Sequence, residues 1–152
     1  MGEESSMIPK YRLDISRLIF KRAQEEIDTA IELINLKRFN ASVNRSYYAM
    51  FYAVNAVNML DGFESSKHSG VISHFNFEYV RTKIFDPSLS KLISSAFNQR
   101  HYADYEYSYI ATQEEAQAQI NDAQKFLDTI RPYLESKWKS LQVSGDNQNE
   151  KA

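Results

Sequence analysis

Cysteine is absent from this chain, and only 4 glycines and 3 prolines punctuate its 152 residues. Without cysteine there is neither a disulfide framework nor a thiolate metal site, which suits a reducing compartment. All-β folds need many turn residues, so the scarcity of glycine and proline favours long helices. No apolar run approaches the roughly 18 residues of a membrane span. The N-terminal M-G-E-E-S-S-M-I-P-K is acidic and polar, unlike a secretory leader. Neither sign of charge dominates: 18 Lys and Arg stand against 20 Asp and Glu, for a net charge of −2. A basic nucleic-acid coat is thereby excluded, and any RNA or nucleotide contact must be local, through a few arginines and aromatics. A cytoplasmic protein with no membrane association is expected.

Motif chemistry is narrowed by further absences. Neither G-x-x-x-x-G-K-[ST] nor G-x-S-x-G occurs, which removes P-loop phosphate binding and the serine elbow. The three histidines are His68, His74 and His101. His68 and His74 do not share a helix face, and no Glu-x-x-His pair of the bundle metal sites is present. No metal and no cofactor are expected.

What is present is helical periodicity over a chain that is 43% hydrophobic. A first helix is predicted from about Asp14 to Lys37, with Ile15, Leu18, Ile19, Ala23, Ile27, Ala30, Ile31 and Ile34 as its stripe. A second runs from Asn40 or Ala41 to Asp61, with Gly62 as a left-handed cap. It has no charge between Ser46 and Leu60, so it is the most buried. A short third element covers Val71 to Thr82 and is helical by period, although F-N-F-E-Y-V also alternates like a strand. The fourth helix opens at Asp86-Pro87, an N-cap followed by a favoured first position, and its stripe continues through Arg100 towards Tyr107. The fifth opens on the capping box Thr112 to Glu115, is kinked or interrupted at Pro132, and resumes to Leu141. The expected architecture is all-α, an up-and-down bundle of four long helices plus a short fifth. Residues 1–11 form a flexible N-terminus, 12–141 the helical domain and 142–152 a disordered polar tail.

Two arginines break the apolar pattern. Arg100 lies on the inward stripe of the fourth helix and opens R-H-Y-A-D-Y-E-Y; Arg45 stands beside Tyr47 and Tyr48. A guanidinium forks onto phosphate oxygens, and neighbouring tyrosines stack on bases, so the pair suits a phosphodiester or nucleotide. A plainer reading stands beside this one. Arg100 and Asp104 are spaced for an i, i+4 ion pair, and Arg45 can pair with a carboxylate of another helix.

Three blocks in this order, N-R-S-Y-Y-A-M-F-Y-A-V-N-A-V (44–57), K-H-S-G-V-I-S-H-F (67–75) and F-N-Q-R-H-Y-A-D-Y (97–105), resemble the HEPN domain family, in its small single-domain branch. The resemblance covers about Ile15 to Leu134. It implies a bundle of four or five helices and a homodimer. It also implies a minimal nucleotidyltransferase as partner in a toxin–antitoxin or defence system, and often a metal-independent ribonuclease. The family motif is an arginine followed, after four to six residues, by a histidine and then x-Tyr. Its arginine falls on Arg100, its histidine position on Tyr105 and its tyrosine on Tyr107. The departure matters, because a tyrosine with pKa ~10 is a poor base at neutral pH, whereas a histidine near ~6.5 is a good one. His101 points about 100° away from Arg100 on a regular helix; it or His68 would serve only across a dimer interface.

Three functions follow. The first in order is a partner-regulated module that binds nucleotide or RNA through Arg45, Tyr48, Arg100, His101, Asp104 and Tyr107, with Tyr107, or else Tyr105, as the residue the nucleotidyltransferase modifies. The second is a metal-independent endoribonuclease with an altered Arg-x4-Tyr motif, Arg100 and Tyr105 being catalytic. The third is a non-catalytic structural adaptor bundle.

Overall fold

The computed structural model describes residues 7–151, with side chains described through Lys139. It is a helical bundle with no strand among the described residues: α1 Lys10–Asn35, α2 Phe39–Leu60, α3 His68–Phe75, a π-helical turn Asn76–Val80, α4 Ser88–Tyr105 and α5 Gln113–Lys151. Part of the expected flexible N-terminus, residues 1–6, lies outside the described residues, as do the side chains of the expected polar tail.

α2 is the axis of the bundle and packs against α1, α3, α4 and α5. Its uncharged run is buried almost all round, with Tyr47, Ala49, Met50, Ala53, Val54, Ala56 and Val57 fully enclosed. Alanines on both α1 and α2 let the two backbones approach closely. The Ser42 hydroxyl donates to the Ala30 carbonyl at 2.8 Å, and Ser16 donates to the Ala56 carbonyl at 2.7 Å. Ser16 in turn accepts from the Trp138 indole N–H at 3.1 Å, so α5 is tied to the same point.

The helix ends follow local chemistry. Asp86 Oδ1 accepts the Ser88 N–H at 2.9 Å, the N-cap expected ahead of Pro87. At α5, Glu115 N–H donates to Thr112 Oγ1 at 3.1 Å while Thr112 N–H reaches Glu115 Oε1 at 3.4 Å, the reciprocal capping box. α1 and α2 both end in paired 6→1 and 5→2 bonds, Arg38 N–H to Leu33 O with Lys37 N–H to Ile34 O, and Phe63 N–H to Asn58 O with Gly62 N–H to Met59 O. The left-handed residue is Gly62 (φ 78°) in one case and Lys37 (φ 60°) in the other.

Four boundaries differ from the sequence reading. α1 begins at Lys10 rather than Asp14, so Lys10 and Tyr11 belong to it and not to a flexible terminus. The cause is Pro9, whose carbonyl accepts the Arg12 and Leu13 N–H groups, while Leu13 is buried. The third element starts three residues early at His68 and ends in a π turn, with Phe75 and Tyr79 both in the core. α4 stops at Tyr105, which leaves Tyr107 in the following loop. α5 runs through Pro132 without interruption and on to Lys151, past the Leu141 where it was expected to end and into the tail expected to be disordered. Ile130 and Leu134 are fully buried on either side and Trp138 packs on the core. Losing one backbone bond is cheaper than exposing those side chains.

Under the far end of α3, Tyr79 donates to Asp61 Oδ2 at 2.9 Å, and the same oxygen lies 2.8 Å from His74 Nε2. Burial first, then the Asp61 charge, holds the Tyr79 phenol well above its ordinary range. Burial, and then the Asp61 charge, raises the Tyr133 phenol as well. A phenol raised in the folded state keeps a proton that the unfolded chain loses. The contribution of these phenols to stability is therefore constant below pH ~10 and is lost above it. Urea unfolding on either side of that pH should show this fall, and Tyr79→Phe should lessen it. Lys37→Gly should stabilise the chain by roughly 0.5–1 kcal/mol, because glycine accepts positive φ without a Cβ clash. Gly62→Ala should destabilise it by about 1–2 kcal/mol; the same titrations measure both.

Candidate functional site

Tyr47 and Tyr48 fall in the first half of α2, and Arg100 lies near the end of α4, where its stripe turns polar. Arg100 does point inward: its side chain is only 16% exposed. Its Nε donates to Asp104 Oδ2 at 3.0 Å and its Nη2 to the Tyr48 hydroxyl at 3.3 Å. Its guanidinium carbon lies 5.6, 5.5 and 5.8 Å from the ring centres of Tyr47, Tyr48 and Tyr105. Three aromatic faces and one carboxylate thus balance a charge that the helix periodicity would assign to a hydrophobe. Nη1 has no hydrogen bond among the described residues.

From Asp104 the network continues into α2 and α1. Asn44 Nδ2 donates to Asp104 Oδ2 at 2.8 Å, and Asn44 Oδ1 accepts from Arg45 Nε at 2.9 Å and from Arg45 Nη2. Arg45 Nη1 then donates to Glu26 Oε2 at 2.8 Å. Glu26, Arg45, Asn44, Asp104 and Arg100 therefore form one chain of alternating charge across three helices. Arg45 also lies over the Tyr48 ring at 4.9 Å. Its nitrogens are all engaged with Asn44 and Glu26, whereas Arg100 keeps one free fork.

On the other side of Tyr47 stands His68, the first residue of α3. Its Nδ1 is 2.8 Å from the Tyr47 hydroxyl, and its ring stacks on Phe51 at 4.0 Å. Burial holds the Tyr47 phenol far above its ordinary range, so it stays protonated. Burial, and then the nearby Arg100 charge, lowers the His68 pKa.

Of the residues expected from the sequence, Arg45, Tyr48, Arg100 and Asp104 are joined in this network. Tyr105 lies beside Arg100 and is 59% exposed. His101 turns away from Arg100 and packs against Tyr105 at 5.0 Å. Tyr107 is fully exposed in the loop beyond α4, outside the network. Glu26, Asn44 and Tyr47 had not been singled out as site residues, and His68 had been considered only across a dimer interface. The one local signal for His68 was its place in K-H-S-G ahead of an apolar run; for Glu26 and Asn44 there was none, since both sit on ordinary polar positions. Among the described residues no cluster of His, Asp and Glu is arranged to hold a metal ion, and no helix is long and apolar enough to cross a membrane.

A small helical bundle with an arginine and tyrosines clustered between its second and fourth helices is the class these features define. The HEPN domain family model matches residues 16–133. "Putative toxin MJ0142" of Methanocaldococcus jannaschii is 32% identical over 143 residues, covering 94% of this chain and 95% of the relative. "UPF0332 protein" of Thermotoga maritima is 35% identical over 135 residues, with 89% and 96% covered. "Putative toxin MJ0605" of M. jannaschii is 32% identical over 123 residues, with 81% and 90% covered. The chain belongs to the HEPN domain family, and its relatives include proteins named as toxins.

Asn44 is the joint of the charge network, since its amide donates to one carboxylate and accepts from one guanidinium. Asn44→Asp sets a second carboxylate against Asp104 and removes the donor. The variant should lose about 1–2 kcal/mol at neutral pH. Two carboxylates sharing a site raise one pKa, so protonation restores a donor and the deficit should shrink as the pH falls towards ~4. Urea unfolding of both proteins at neutral and acidic pH checks this.

Proposed function

We propose that this protein is the HEPN member of a toxin-type pair, acting in the cytoplasm and binding nucleotide or RNA at the cleft around Arg100. The observation that carries the reading is the Arg100 side chain. It is held by Asp104 and Tyr48, ringed by tyrosines, and left with an unpaired Nη1. A guanidinium so placed is preorganised for a phosphate oxygen, and Tyr48 and Tyr105 offer ring faces for a base. Arg45 positions Asn44 and Tyr48, while His101 supports Tyr105. The names of the relatives support the toxin-type setting.

Regulation by a minimal nucleotidyltransferase is part of the same proposal. Tyr107 is fully exposed at the end of the motif, where a partner enzyme can reach its hydroxyl, and Tyr105 is next in accessibility. Tyr102, Tyr105, Tyr107 and Ile110 leave exposed apolar surface around the cleft, a rim suited to a second copy of this chain. Tyr105 replaces the base expected at the motif position, which favours binding and modification over cleavage.

End-labelled RNAs incubated with the wild type and Arg100→Ala, with and without EDTA, test the reading. The wild type should retain RNA or nucleotide without cutting it, and Arg100→Ala should bind at least tenfold more weakly. Reaction with the cognate nucleotidyltransferase and ATP should add one nucleotidyl group, lost in Tyr107→Phe. EDTA-resistant cleavage abolished by Arg100→Ala would establish the ribonuclease instead. No binding, no cleavage and no modification, with Arg100→Ala altering only the melting temperature, would leave the structural adaptor.

A further inference from the structure

We propose that His68 is a neutral hydrogen-bond donor in the cleft, fixed by Tyr47 so that its Nε2–H meets a phosphate oxygen of the ligand held by Arg100. The inference rests on the reading of the cleft as a nucleotide or RNA site.

The tautomer follows from proton accounting. The Tyr47 ring is fully buried, and its hydroxyl has one hydrogen-bond partner among the described residues, His68 Nδ1 at 2.8 Å. If Nδ1 carried the proton and donated to the phenol oxygen, the Tyr47 O–H would be left buried with no acceptor. The phenol therefore donates and Nδ1 accepts. A neutral imidazole then carries its proton on Nε2. Charging the ring would put a proton on Nδ1 as well and orphan the same hydroxyl.

The surroundings of His68 point the same way. α2 presents Tyr47, Tyr48 and Phe51 to it, and α4 presents the Arg100 charge. No carboxylate touches it among the described residues; Asp104 turns its Oδ2 to Arg100 and Asn44. Burial and Arg100 both lower its pKa, so the ring is neutral at neutral pH, and protonating it would destabilise the fold as pH falls below ~6.5.

His68 and Arg100 flank the same two rings. The imidazole centre is 5.8 Å from the Tyr47 ring and 5.7 Å from the Tyr48 ring, and the guanidinium carbon is 5.6 and 5.5 Å from them. Around these rings three donors lack acceptors among the described residues. They are Arg100 Nη1, His68 Nε2–H and the Tyr48 O–H, whose oxygen already accepts from Arg100. These donors outnumber the one carboxylate beside them, Asp104, whose Oδ2 is held by Arg100 and Asn44, and phosphate oxygens accept from all three kinds of group. It also follows that His68 is not the general base missing from Tyr105, since the only lone pair of its neutral ring is occupied by Tyr47.

Long-range 15N–1H correlation on wild-type protein at neutral pH reads the tautomer without any ligand; the Nε2–H form of His68 is expected. Titration with ATP, and separately with a fluorescein-labelled single-stranded RNA, should shift the His68 Nε2–H resonance with at least one of them. The responding titrant separates a nucleotide from a polynucleotide site. His68→Phe, which keeps a ring against Phe51 but has no donor, should weaken binding about tenfold. His68→Gln, which keeps an amide donor, should recover part of that loss. An Nδ1–H or doubly protonated ring would overturn the proposal. So would wild-type-like binding by a folded His68→Phe while Arg100→Ala is impaired, and in that case the nucleotide or RNA site itself would stand. If His68→Phe does not fold, the wild-type Nε2–H shift decides: a resonance unmoved by a ligand that does bind removes the role. Failure of the wild type to bind either titrant would remove both this inference and the function beneath it.

Discussion

A permanent charge on the inward stripe of α4 is the constraint that organises this molecule. Arg100 cannot lose its proton, and a guanidinium drawn away from water is tolerated only where opposite charge and hydrogen-bond acceptors meet it. Asp104, one turn later, meets it first. That carboxylate needs its own donor, which Asn44 of α2 provides, and the Asn44 carbonyl is aimed by Arg45, whose charge is balanced by Glu26 of α1. Each link is modest alone, because the pairs are partly exposed. Together they hold three helices in one register at the site end of the bundle, where the apolar packing of α2 gives way to polar groups. Removing Asn44 would leave two separate ion pairs, Arg45 with Glu26 and Arg100 with Asp104, no longer joined between α2 and α4.

α3 shows how a short helix is held without a large core of its own. Only Val71 and Phe75 of its residues are buried. Its two histidines do the rest, His68 reaching Tyr47 at one end and His74 reaching Asp61 at the other. Their spacing places them on different faces, which weighs against a shared metal and suits two separate anchors. His74 also stacks on Phe63 at 3.8 Å, in the loop that follows the Gly62 turn. That turn and the His74–Asp61 pair therefore set where α3 begins, and so where His68 is held against the tyrosines of α2.

Much of the fold was legible because its causes are local. Apolar spacing marked the helices, Gly62, Asp86 and the Thr112–Glu115 box marked their ends, and the unbroken apolar run of α2 marked the centre. The inward placement of Arg100 and its pairing with Asp104 came from the same helical period. Features set by distant residues were not legible. Arg45 pairs with Glu26 across 19 positions, Asn44 with Asp104 across 60, and Tyr47 with His68 across 21. Nothing in the local pattern distinguishes Glu26 from the other acids of α1. Pro132 was read as a kink or an interruption because its local cost is evident, while the buried Ile130 and Leu134 that outweigh it contribute only once α5 is packed.

Where the resemblance to the family expects a histidine, this sequence has Tyr105, and that bears on what the cleft can do at neutral pH. Tyr105 extends the aromatic surface beside Arg100, and His101, the neighbouring histidine, packs on that ring instead of approaching the guanidinium. On the other side of these rings, His68 has its Nδ1 bonded to the Tyr47 hydroxyl, and His74 pairs with Asp61 away from the cleft. The cleft is thus rich in donors and ring faces and poor in bases, which is the chemistry of holding a phosphate and a base rather than of abstracting a proton from a hydroxyl. The same network holds the Arg100 side chain in place before any ligand arrives.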